Sequence, residues 1–266
     1  MILTIDVGNT TVRLSGVVRD PKEGYTVAFS GKLKTVPAWG VPDYLAPLKK
    51  LLDHKGCRPE DLEGAVISSV VPSLVEPLRS CVETLTGQRA ILLTPASQSG
   101  LTMAVPEPEG VGLDRLVDAA WTAETFPLPA VTVDMGTATT FNVLDEDRRF
   151  LGGVIAPGLD TGLSALSRRA AQLPNVDLDT PDYVIGRNTQ ECMLSGAVVG
   201  AASMVDGMVA RIEGQLGKPV TLVITGGFAA YVEPLCTHPH IYDPHLLTKG
   251  LALLYDKNCG RPSTAP

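Results

Sequence analysis

One pattern occurs twice in this chain and constrains its fold more than any other feature. The first copy is Ile2-Leu-Thr-Ile-Asp6-Val7-Gly8-Asn9-Thr10-Thr11-Val12-Arg13-Leu14. The second is Val131-Thr-Val-Asp134-Met-Gly136-Thr137-Ala-Thr139-Thr140-Phe-Asn142-Val. Each reads as an apolar, β-branched strand, an aspartate, a glycine two residues on, small polar residues and a second strand. The glycine lets the backbone reverse and lets a ligand approach it closely. A single Asp-x-Gly turn carries little information, since such turns are common. Two copies half a chain apart predict two similar half-domains facing each other. A carboxylate joined to hydroxyls and glycine-turn amides is the device that binds phosphate and a hydrated Mg2+ ion. Thr225-Gly226-Gly227, at the end of a third core strand, adds a further close-approach turn.

A length of 266 residues accommodates two moderate domains. The net charge of −7 argues against nucleic acid or an anionic membrane as the main partner. Asp6 interrupts the N-terminal apolar run, so no signal peptide is expected, and no stretch approaches the ~20 apolar residues that span a bilayer. The five cysteines are scattered, without Cys-x-x-Cys, which predicts reduced thiols and a cytoplasmic protein.

In chain order, residues 16–31 continue the first sheet, with turns at Asp20-Pro21 and Glu23-Gly24. A helix is predicted over 43–54, a strand over 65–71, a helix over 73–86 and a strand over 90–94. Residues 95–111 form a loop that delivers Gly112-Leu113-Asp114-Arg115 to the start of a helix. A strand over 150–156, a helix over 161–171, a polar excursion over 173–187 and a long small-residue helix over 188–216 follow. A core strand over 220–225 and a terminal helix over 246–255 complete the pattern. The expected domains are 1–112 and 113–258, with 259–266 a loose tail.

Two readings stand for Asp114: general base for a phosphoryl acceptor, or N-terminal cap of its helix. Arg115 can fork onto a carboxylate or phosphate. His238, His240 and His245 are interrupted by prolines and complete no tetrahedral metal set. Cys192 reads as buried filler on a small-residue helix.

The paired turns resemble the acetate kinase, hsp70 and actin superfamily. That resemblance implies two ribonuclease-H-like (actin-like ATPase) α/β domains with a cleft between them. A finer resemblance rests on seven ordered motifs: Asp6-Val-Gly-Asn-Thr10, Ile67-Ser-Ser-Val-Val-Pro72, Gly112-Leu-Asp114-Arg115, Asp134-Met-Gly-Thr-Ala-Thr-Thr140, Gly152-Gly-Val-Ile-Ala-Pro-Gly158, Gly186-Arg-Asn-Thr189 and Thr225-Gly-Gly227. Together they resemble type III pantothenate kinase. The resemblance implies transfer of the ATP γ-phosphate to pantothenate, with Asp114 as base. It implies that Asp6, Val7, Gly8, Asn9, Thr10, Thr11, Val12, Arg13 and Thr137 bind ATP. Gly112, Leu113, Asp114, Arg115 and Thr189 would touch pantothenate. Asp6 would hold Mg2+ through water, and Asp134 a monovalent cation, K+ or NH4+. A homodimer is implied as well, and the small groups Ser195-Gly196, Gly200–Ser203 and Gly207 offer it a smooth helical face. The rival reading is a non-catalytic regulatory relative, or a kinase of another hydroxylated acid. Three positions depart from the family pattern. Asn142 stands where an Asp is usual, Val105 where a Tyr is frequent, and Leu113 where a small residue is usual. The first bears on cation dependence and the others on the substrate pocket.

Overall fold

A computed structural model of the chain describes residues 1–169 and 173–259. The strands in chain order are β1 (Ile2–Val7), β2 (Thr11–Asp20), β3 (Gly24–Lys34), β4 (Gly64–Ser69), β5 (Ile91–Leu92), β6 (Thr102–Met103), β7 (Ala130–Met135), β8 (Ala138–Leu144), β9 (Arg149–Pro157), β10 (Thr221–Thr225) and β11 (His240–Tyr242). The helices are α1 (Val41–His54), α2 (Val75–Thr86), α3 (Leu113–Thr125), α4 (Leu159–Arg169), α5 (Thr189–Leu216), α6 (Ala229–Val232) and α7 (Leu246–Asn258). The chain divides into two compact units. One comprises Met1–Leu101, Pro106–Thr125 and the segment from His245, and the other Thr102–Val105 and Phe126–Pro244.

The first unit is built on a sheet ordered β3-β2-β1-β4-β5. β1, β2 and β3 form an antiparallel meander, and β4 and β5 run parallel to β1. Side chains alternate across a strand. Leu3, Ile5 and Val7 therefore share a face with Val12 and Leu14, and they pack on Tyr44, Leu48 and Leu52 of α1 and Leu78 and Val82 of α2. Each such buried side chain contributes about 1.5–3 kcal/mol. The Asp20 carboxylate accepts the amides of Lys22 and Glu23 at 2.7 and 2.9 Å, which closes the β2–β3 turn as its Asp-Pro sequence predicts. α7 packs on β1 and β4, and α3 packs on α7. Gly250 permits that helix contact, since a Cβ there would lie 2.7 Å from the Val117 carbonyl oxygen. The Arg19 guanidinium grips the fully buried Asp256 carboxylate through Nε at 2.7 Å and Nη2 at 2.5 Å, and the Tyr25 hydroxyl donates to the same group at 2.8 Å.

The second unit repeats the plan. Its sheet is ordered β11-β10-β7-β8-β9-β6, with β7, β8 and β9 antiparallel and β10 and β11 parallel to β7. Val131, Val133, Met135 and Phe141 join Leu222 and Ile224 on one face. They meet Val198, Ala201, Ala202, Val205 and Val209 of α5.

The expected pair of ribonuclease-H-like α/β units is thus present, while the expected border at 112/113 is not where the units part. α3 and α7 both belong with the first unit because their partners are β1, β4 and each other. The loop expected over 95–111 contains β6, which extends the second sheet beside β9. Of the strand expected over 90–94, only Ile91–Leu92 pairs. The helix expected over 161–171 is α4, starting at Leu159, and positions 170–171 lie outside the described residues, as do 260–266 of the expected tail. α5 departs from the expected lack of a membrane-length segment. By length and composition it could cross a bilayer, yet its Val198, Val205 and Val209 face is committed to the sheet.

Candidate functional site

In the first unit, β1 ends in Asp6-Val7 and the chain reverses through Gly8, Asn9 and Thr10 into β2. The register sets Asp6 opposite Arg13 and beside Ser68 of β4. Directly opposed residues project to one face, so a carboxylate and a guanidinium share the mouth of this hairpin. Both are half-buried, while Asn9 and Thr10 at the tip are exposed. The Gly8 amide donates to the Thr11 carbonyl at 3.0 Å. Thr35, just beyond β3, donates its hydroxyl to the Gly8 carbonyl at 2.7 Å and its amide to the Thr10 carbonyl at 3.2 Å.

The same unit carries Gly112–Arg115. Asp114 is the second residue of α3, inside the first turn, so it does not occupy the capping position that the alternative reading gave it. Its Oδ1 accepts the Arg115 amide at 2.8 Å. Gly112 leaves room for that carboxylate, since a Cβ there would lie 2.5 Å from Asp114 Oδ1. A carboxylate in a first helical turn sits in the favourable field of the helix N-terminus. Burial pushes the Arg115 guanidinium below its ordinary pKa, and Asp114 beside it acts in the opposite sense.

In the second unit, β7 ends in Asp134-Met135. Asp134 stands opposite Thr140 of β8 and beside Thr225 of β10, and Thr132 stands opposite Asn142. Thr132, Asp134, Thr140, Asn142 and Thr225 therefore share the sheet face that turns away from the α5 core. Thr140 Oγ1 is buried without a hydrogen-bond partner among the described residues. A carboxylate and hydroxyl oxygens make a hard donor set, and it fits a hard cation. Gly226, at φ 106°, packs so that a Cβ would strike Asp134 Oδ1, so this turn needs glycine twice over. Thr137 is exposed at the tip. Its carbonyl accepts the Gly158 amide at 3.1 Å and the Thr161 hydroxyl at 2.7 Å.

Thr189 opens α5 and is exposed. The sequence reading passed over its neighbours. Asn188 Oδ1 accepts the Glu191 amide at 2.9 Å, and the Glu191 carboxylate accepts from the Arg187 amide at 2.7 Å and from Asn188 Nδ2 at 2.8 Å. Asn-x-x-Glu before an apolar run is the sequence signal for such a reciprocal cap. Cys192, expected to be buried, is exposed in the same first turns, with its thiol donating to the Gly186 carbonyl at 3.4 Å. By contrast, burial pushes the Cys81 thiol up to about 11 and the Cys236 thiol up to about 12. His238 and His240 face Glu213 and Glu233 in separate pairs at 3.3 and 3.1 Å.

Comparison with known proteins places the chain in a family. A family model described as type III pantothenate kinase matches residues 2–211. A type III pantothenate kinase of Exiguobacterium sp. is 38% identical over 259 residues, covering 97% of this chain and 99% of the relative. Among solved structures, one from Campylobacter jejuni titled as a Baf family transcriptional activator aligns with TM-score 0.59 at 21% identity, over 97% of this chain and 99% of that one. Another, from Sinorhizobium meliloti and titled as a 2-dehydro-3-deoxygalactonokinase, aligns with TM-score 0.57 at 12% identity, over 96% of each chain. At those identities the structural likenesses speak for the fold. The sequence matches speak for descent, and by them the chain belongs to the type III pantothenate kinase family.

Proposed function

We infer that this chain is an ATP-dependent pantothenate kinase. It transfers the γ-phosphate to the primary hydroxyl of pantothenate, giving 4′-phosphopantothenate in the first step of coenzyme A synthesis. The near-full-length match to pantothenate kinases carries the inference. Asp114 is the general base that takes the proton from the attacking hydroxyl. Arg115, with Gly112, Leu113 and Thr189, holds the acceptor, its guanidinium forking onto carboxylate or phosphate. The hairpin from Asp6 to Arg13 lines the ATP phosphates, with the Asn9 and Thr10 amides at its tip and Arg13 offering positive charge, and Thr137 is a further ATP contact.

The family implies ATP with a divalent metal. We assign that metal as Mg2+, held through water by Asp6. A monovalent cation, K+ or NH4+, belongs at Asp134, with Thr140 among the oxygens on the same face. Each cation offsets negative charge at its aspartate. Asn142, two pairs further along on the same face, is a neutral amide and weakens cation binding compared with a carboxylate.

The working form is a homodimer, and the partner chain closes the pantothenate pocket. Gly196, Gly200 and Gly207 lie along the side of α5 away from its core, where a Cβ would meet nothing within 4 Å. Val184 and Ile185 stand 71% and 84% exposed before the same helix. Light scattering checks the assembly, and a fully active monomer at micromolar concentration would refute it. The enzyme is cytoplasmic and uses neither nucleic acid nor membrane. Coupled ADP release with a panel of hydroxylated acids tests the activity. Pantothenate is expected to be turned over far faster than the others, and an equal or better substrate elsewhere in the panel would overturn the assignment.

A further inference from the structure

The two Asp-x-Gly turns are pinned in the same way. In each unit the third strand of the meander is followed by a threonine that reaches back to the turn between the first and second strands. Thr35, one residue past β3, donates its hydroxyl to the Gly8 carbonyl at 2.7 Å. Thr161, in the first turn of α4 after β9, donates its hydroxyl to the Thr137 carbonyl at 2.7 Å. Each turn receives a second donor from the same segment. The Thr35 amide reaches the Thr10 carbonyl, and the Gly158 amide reaches the Thr137 carbonyl. Gly158 comes that close because it has no side chain, since a Cβ would strike the Gly136 carbonyl oxygen and lie 2.6 Å from that of Thr137.

We propose that Thr35 and Thr161 are paired positioning residues that hold the two nucleotide-binding turns in their phosphate-ready conformation. A peptide carbonyl fixed by a hydroxyl fixes the plane of the next amide, and turn amides are the groups that meet phosphate oxygens. A turn held before ATP arrives loses less freedom on binding. The hydroxyls act through Gly8 and Thr137, so the proposal rests on the assignment of those turns to ATP.

The test uses isosteric and conservative variants of the whole chain. Thr35→Val and Thr161→Val remove the hydroxyl and keep the shape. Each is expected to raise KM for ATP about three- to ten-fold, the range of one lost hydrogen bond, with KM for pantothenate unchanged. Thr35→Ser and Thr161→Ser restore the donor and are expected to restore KM for ATP, which also covers the case in which a valine variant folds poorly. Ser167→Ala and Thr86→Val serve as controls. Ser167 bonds the Pro174 carbonyl at 2.9 Å and Thr86 the Val82 carbonyl at 2.8 Å, away from both turns, so their loss reports stability alone. Thr137→Ala and Arg13→Gln probe the underlying assignment. If these two weaken ATP while the valine variants behave like the controls, the positioning role is wrong and the assignment stands. If Thr137→Ala and Arg13→Gln leave KM for ATP untouched, both fall. Serine variants that fail to restore KM for ATP also overturn the proposal.

Discussion

The two strand–turn–strand units share a topology and differ in what stands opposite the aspartate. Across from Asp6 is Arg13, and across from Asp134 is Thr140. Two residues deeper, on the same face, Thr4 faces Ser15 in the first unit, and Thr132 faces Asn142 in the second. The first hairpin thus places a guanidinium beside its carboxylate, and the second places hydroxyls and an amide there. A mouth with a fixed cation recognises phosphate, whereas a carboxylate among neutral oxygens recognises a metal ion. On the reading proposed above, the shared frame differs in the residue that each strand pair puts in register with its aspartate, a guanidinium suited to phosphate at Asp6 and a hydroxyl suited to a cation at Asp134.

The largest effect is expected where the chemical step itself is assigned. Asp114→Asn keeps the shape of the first turn of α3 but cannot take a proton, and kcat is expected to fall about 10²–10⁴-fold. Retention of half the turnover would remove Asp114 from the base role. The comparison between the hairpins is then sharpened by paired metal titrations. Asp6→Asn is expected to raise the Mg2+ needed for half-maximal rate and keep the K+ response, and Asp134→Asn to flatten the K+ response and keep the Mg2+ requirement. Equal shifts in both titrations for both variants would mean that the hairpins are not divided in this way.

The units also differ in how they are fastened. The first is closed by half-buried Arg19 on the buried Asp256 carboxylate, with the Tyr25 hydroxyl on the same group. Asp256→Ala leaves Arg19 with Glu63, at 2.7 Å, as its remaining carboxylate, strands the Tyr25 hydroxyl, and is expected to cost about 1–3 kcal/mol in chemical denaturation. The second unit has a half-buried counterpart on α5. Burial alone would raise the Asp206 carboxyl, but the Thr237 hydroxyl at 2.6 Å and the amides of Thr237 and His238 outweigh it and hold the group below the usual carboxylate range. A depressed pKa means stability that is present above the unfolded value near pH ~4 and is lost as pH falls through the folded one. Asp206→Asn is expected to cost about 1–2 kcal/mol at neutral pH and to flatten this part of the acid limb. An unchanged acid limb would show that Asp206 does not fasten this unit.

Much of this was legible in the sequence because the determining signals are local. β-branched residues followed by Asp-x-Gly specify a strand and its turn within a few positions, so Asp6 and Asp134 were placed at strand ends. Apolar spacing after Asp114 specified α3. What escaped detection depends on partners distant in sequence. The apolar residues of α7 mark a buried helix, and nothing within it says that it returns to β1 and β4. Asp256, followed in that helix by Lys257 and Asn258, has its meaning only beside Arg19. A two-residue strand such as β6 is too short to show a period. The cap of Asn188 and Glu191 has a local signal, Asn-x-x-Glu, at the start of α5. The Arg13/Thr140 contrast needed the register, which the duplicated pattern alone does not number.

The most direct test is to identify the product. The purified chain is incubated with ATP, Mg2+, K+ and pantothenate, and phosphorus NMR follows the reaction. The expected result is ADP and a phosphomonoester of pantothenate at its primary hydroxyl, formed in equal amounts. ADP without a pantothenate phosphomonoester, or no turnover with both cations present, would contradict the assignment.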